Sequence, residues 1–89
     1  YVFRSEEPAV LDTLGWIYYQ MGDVNPALDL IEKALAGDPE NPALNYHMGM
    51  VLYKTGRTDE AREKLGRALE GGESFPWREE AEKVMKKLL

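Results

Sequence analysis

Apolar residues recur at helical spacing between residues 11 and 21, at Leu11, Leu14, Trp16, Ile17, Tyr18 and Met21, with Gly15 in their midst. A glycine inside a helix costs about 1 kcal/mol relative to alanine, so its place in the pattern calls for a reason. Thirty-four residues on, the pattern returns as N-Y-H-M-G-M-V-L-Y-K-T-G, with Gly49 in register with Gly15. The same shift carries Pro8 to Pro42, Ala9 to Ala43, Tyr19 to Tyr53 and Gly22 to Gly56, then Ala27 to Ala61, Ala34 to Ala68, Leu35 to Leu69 and Gly37 to Gly71. Val10 with Leu44, Leu14 with Met48, Ile17 with Val51 and Ile31 with Leu65 are conservative matches. A period sustained over a whole unit predicts repeat architecture.

Each unit reads as two helices. The first helix A begins at Pro8, a residue suited to the first helical position, and ends at Gly22. Asp23 is placed to cap helix B, which runs to about Ala36, and Pro26 falls in its tolerant first turn. Gly37 to Glu40 form a turn, Asn41 caps the second helix A at Pro42, and that helix ends at Gly56. The second helix B starts near Arg57 or Thr58, with Thr58 a substitute for the capping aspartate, and ends at Gly71 and Gly72. Gly15, Ala27 and Ala34, and again Gly49, Ala61 and Ala68, are expected where helices A and B cross, with Gly15 near Ala27 and Gly49 near Ala61. Small residues there let two backbones approach. Ser74 and Pro76 mark a last helix over 76–88, with Trp77, Ala81, Val84, Met85 and Leu88 on one face. Lys83 stands where a third glycine would fall, so this helix is a solvating cap.

These residues resemble the tetratricopeptide repeat, a helix–turn–helix unit of 34 residues. Leu11, Leu14, Gly15, Tyr18, Ala27, Ile31, Ala34 and Pro39 occupy its signature places in the first unit, and Met48, Gly49, Leu52, Ala61, Leu65 and Ala68 do so in the second. Asn45 stands where a large apolar residue is usual and Glu73 where proline is usual. The resemblance implies an all-α fold: an α-solenoid of two repeats with a capping helix, in a right-handed superhelical array. The expected units are 1–7, a remnant of a preceding segment, then repeats at 8–41 and 42–75 and the cap at 76–89. In phrasing (D-T-L-G-W-I-Y-Y, then Y-H-M-G-M-V-L-Y) the chain is also similar to the last repeats of long bacterial repeat proteins, some linked to exopolysaccharide export or to sorting at the cell envelope.

Composition adds bounds. Eighty-nine residues make at most one ordinary domain, and 44% hydrophobic with 30% charged residues reads as globular. A formal net charge of -5 argues against nucleic acid or an anionic lipid surface as the main partner. With no cysteine, disulfides and thiolate chemistry are excluded, and cytoplasm and cell envelope both remain open as compartments. No apolar run reaches the roughly 18 residues of a membrane span. The chain starts at Tyr1 without methionine, which reads as a piece of a longer protein.

No catalytic constellation is legible. His47 is the only histidine and reads as a partly exposed polar residue of helix A; the serines, Ser5 and Ser74, lie in terminal or turn segments. G-D-P-E-N-P over 37–42 lacks the regular oxygen ligands and central glycine of a calcium loop, and no glycine-rich phosphate loop is present. The expectation is a protein that is not an enzyme and holds no metal or cofactor. In the tetratricopeptide family the A helices line a concave face that binds peptides or protein segments. Carried onto this chain, the groove places are Asp12, Trp16, Tyr19 and Gln20 on the first helix A and Tyr46, Met50, Tyr53 and Lys54 on the second. Spacings of 4 and 3 put Asp12, Trp16 and Tyr19, and likewise Tyr46, Met50 and Tyr53, on one helical face each. Two readings of these aromatics stand: a surface for a partner, or packing between repeats. The lysines and asparagines of the family's carboxylate clamp are absent from these places. The expected partner is a protein or peptide. The alternative is a purely structural solenoid end, or self-association through the face bearing Val10, Ile17 and Met21 as a homodimer.

Overall fold

The computed structural model describes residues 7–71 and 76–88 and contains, among them, five helices and no strand. They are α1 (Pro8–Gln20), α2 (Val24–Gly37), α3 (Pro42–Lys54), α4 (Thr58–Leu69) and α5 (Arg78–Leu88). The expectations placed on residues 1–6 and on Gly72, Glu73 and Ser74 lie outside the described residues. α1 packs against α2, α3 against α4, α2 against α3 and α4 against α5, while α1 also meets α3 directly. This is two helical hairpins in series, closed by a fifth helix.

The hairpin turns are built twice by the same device. Gly22 (φ +88°) and Gly56 (φ +84°) take the left-handed conformation that side chains resist. Asp23 N–H then donates back to the Tyr18 carbonyl at 2.9 Å, and Arg57 N–H to the Leu52 carbonyl at 3.0 Å. This six-to-one bond closes each helix end. The helices proper stop at Gln20 and Lys54, two residues before these glycines. Two expected caps are corrected. Asp23 occupies the position before α2 and makes no side-chain cap bond, and Arg57 rather than Thr58 stands before α4. The closing bond has already fixed the backbone of Asp23 and Arg57 as the reversal ends. Arg57 instead grips Glu60 with two bonds, at 2.9 and 2.8 Å, and that pairing raises its pKa. Asn41 caps as expected, its Oδ1 accepting from Ala43 N–H at 2.9 Å and Leu44 N–H at 3.3 Å.

Gly15 and Gly49 mark the close approaches within each hairpin, but their nearest neighbours lie one turn beyond the expected alanines. A Cβ on Gly15 would stand 2.6 Å from Ile31 Cγ1 and 3.2 Å from the Ala27 carbonyl oxygen. A Cβ on Gly49 would stand 2.7 Å from Leu65 Cγ and 3.3 Å from the Leu65 backbone nitrogen, and Ala61 is not among its three nearest neighbours. The glycine is therefore a socket for the branched side chain of helix B. Ala27, Ala34, Ala61 and Ala68 are fully buried alongside. A second approach recurs at the other end of each hairpin: a Cβ on Gly37 would stand 2.8 Å from the Pro8 ring, and one on Gly71 would stand 2.7 Å from the Pro42 ring.

One core cluster gathers Leu11, Ile31, Leu35, Leu44, Met48, Val51 and Leu52 across α1, α2 and α3. A second joins Tyr46, Leu65 and Ala68 to Ala81 and Val84 of α5. α5 begins at Arg78, two residues later than expected, and Arg78 Nη1 donates to the Leu69 carbonyl at 3.1 Å, tying the start of α5 to the end of α4. Asn45, the departure from the apolar place that Leu11 fills, is 1% exposed. Its Nδ2 donates to the carbonyls of Pro39 and Asn41, both at 3.0 Å, so it laces the inter-repeat turn onto α3.

Candidate interaction surface

Where α1 and α3 run side by side, their facing residues assemble an aromatic ladder. Trp16 stacks on Tyr19 (centroids 4.7 Å apart) and on the His47 imidazole (4.0 Å). Tyr46 lies 6.1 Å from Trp16 and stacks parallel with Trp77, 5.6 Å away at an interplanar angle of 2°. The ladder thus crosses from the first hairpin through the second to the residue that precedes α5. Trp16, although on α1, packs against the core cluster of the second hairpin, together with Met50 and Tyr53.

Beneath the rings sits a buried hydrogen-bonded pair of side chains. His47 Nδ1 donates to Asp12 Oδ1 at 2.7 Å and to Oδ2 at 2.9 Å. A carboxylate can only accept, so the bond places a proton on Nδ1 and fixes the ring's orientation. Only 10% of the His47 side chain and 13% of the Asp12 side chain remain exposed. The expectation of a partly exposed His47 is therefore corrected: the imidazole is roofed by Trp16 and flanked by Tyr46 and Trp77. Asp12 and His47 stand 35 residues apart, one more than the period. Adjacent A helices bring such positions together, so an acid and a base at that offset was the signal by which sequence could have found the pair.

The eight groove places divide by exposure. Gln20 and Lys54 are exposed; Trp16, Tyr19, Met50 and Tyr53 are half-buried; Asp12 is engaged with His47; Tyr46 is buried beneath Trp77. Burial pushes the Tyr19 hydroxyl above the ordinary tyrosine range. Burial likewise raises that of Tyr46, with the Glu80 carboxylate and then Tyr19 adding to the effect. Trp77 was read from sequence as part of the core face of the last helix. It is 38% exposed and joins the ladder instead.

A depression of about 470 Å³ is lined among others by Leu35 of α2, Met48 and Leu52 of α3, Glu60 and Lys64 of α4, and Arg57 just before α4. Its Arg57 and Glu60 already bind each other.

The family model described as tetratricopeptide repeat matches residues 18–72, from the last turn of α1 to just past α4. The chain belongs to the tetratricopeptide-repeat family. A search of curated proteins finds no match. Tetratricopeptide repeats generally mediate protein–protein contacts and are typically not enzymes. Among the described residues no group of three or more histidine, cysteine or acidic side chains is arranged to hold a metal, and no helix is long and apolar enough to cross a membrane.

Proposed function

We propose that this chain is a protein-interaction module that holds a peptide or protein segment along the face shared by α1 and α3. The observation that carries the reading is the ladder. Its Trp16 and Tyr19 are half-buried, as are Met50 and Tyr53 of α3; all four pack on the core, and Gln20 and Lys54 at the ends of the two helices are exposed. Rigid aromatics with polar tips offer contact area at low entropic cost and dominate binding at interaction surfaces. The residues with a partner role are then Trp16, Tyr19, Gln20, Met50, Tyr53 and Lys54, while Asp12 and Tyr46 serve from beneath by holding the rings.

Photo-crosslinking in the native host tests this. A photoreactive residue at position 20 or 54 should capture a discrete protein, and one at Glu32 or Glu63, exposed on α2 and α4, should not. Capture through α2 and α4 alone would refute the assignment. A second reading rests on a different observation. Leu14, Ile17 and Met21 are 40%, 47% and 67% exposed along one side of α1. That stripe favours self-association through α1, with the ladder then serving only to join the hairpins.

A further inference from the structure

We draw no further inference here: the strongest candidate, the exposed apolar stripe of Leu14, Ile17 and Met21 along α1, already belongs to the self-association reading above, and nothing in the structure shows what else covers it.

Discussion

Alanine at Gly49 and alanine at Gly66 should shift stability in opposite directions, although both replace a glycine inside a helix. On helix propensity alone each change gains about 1 kcal/mol. At Gly66, on α4, the new methyl would meet only Met85 Cε at 3.6 Å, an ordinary contact with the end of a flexible side chain. The gain should be kept. At Gly49 the methyl would stand 2.7 Å from Leu65 Cγ and 2.8 Å from Cδ2, where carbon atoms ordinarily sit about 3.5–4.0 Å apart. About 1 Å of relief is needed, and Leu65 is fully buried. The Leu65 backbone nitrogen at 3.3 Å limits how far α3 and α4 can stay in place. Overpacking of this kind costs about 1–3 kcal/mol. The two variants should therefore differ by roughly 1–3 kcal/mol, with Gly66→Ala the more stable. Thermal unfolding followed by circular dichroism reads the gap directly, since 1 kcal/mol moves the midpoint of a domain this size by about 4–8 °C. Equal rises in both midpoints would mean that Leu65 repacks freely and that the close approach of α3 and α4 does not require glycine.

Three other outcomes follow from the same geometry. Asp12→Ala should cost about 1–3 kcal/mol by stranding the buried His47 donor, and a double-mutant cycle with His47→Gln in urea should return a coupling of like size; additive effects would deny the pair any role. Burial and Glu80 raise the Tyr46 pKa above 10.0 in the folded chain, so the unfolded chain loses its phenolic proton first as pH rises. That contribution to stability is whole below about pH 10 and is lost as pH climbs through the folded-state value, so Tyr46→Phe should flatten the alkaline limb of the stability curve; unchanged alkaline behaviour would refute the burial account. The exposed Leu14, Ile17 and Met21 offer on the order of 300 Å² per copy, below the ~1,000 Å² total of a stable interface even when paired. Light scattering should then find monomer at low micromolar concentration and self-association only near about 100 μM or above, abolished by Ile17→Glu; a tight dimer indifferent to that change would place the contact elsewhere.

Most of the fold was legible because it is written twice. A period of 34 carries both members of every recurring contact, so Gly15 with Gly49, Gly22 with Gly56 and Pro8 with Pro42 each confirm the other. The capping role of Asn41 was legible for a different reason: its chemistry is local, acting two and three residues along. The bond that closes each hairpin is made by backbone, so Asp23 and Arg57 were assigned capping chemistry that their side chains do not perform. The site was harder to see because its contacts break the period. Asp12 and His47 each read alone as a polar residue on a helix, and nothing local tells one of the other. Trp77 fell in step with Ala81 and Val84 at helical spacing, yet it precedes the helix and points its ring toward Tyr46. Leu14 and Ile17 hold signature or core-like places, and their equivalents Met48 and Val51 are 5% and 0% exposed under α2. Their own 40% and 47% exposure belongs to position in the array and not to residue type.

The Asp12–His47 pair also makes the order of the two repeats matter. The carboxylate sits at one place of the first unit and the imidazole at the following place of the second; the equivalents of Asp12 and His47 in the other units are Tyr46 and Thr13. Two copies of the first unit in tandem would set aspartate beside threonine, and two copies of the second would set tyrosine beside histidine. Only the native succession joins acid to base. The backbone of such an array is indifferent to permutation, since every hairpin stacks on the next in the same way. The buried pair is not indifferent, and it acts as an address that lets one particular unit follow another. Shuffled or duplicated versions of this chain would keep their helices and lose the roof of rings that the pair holds in place.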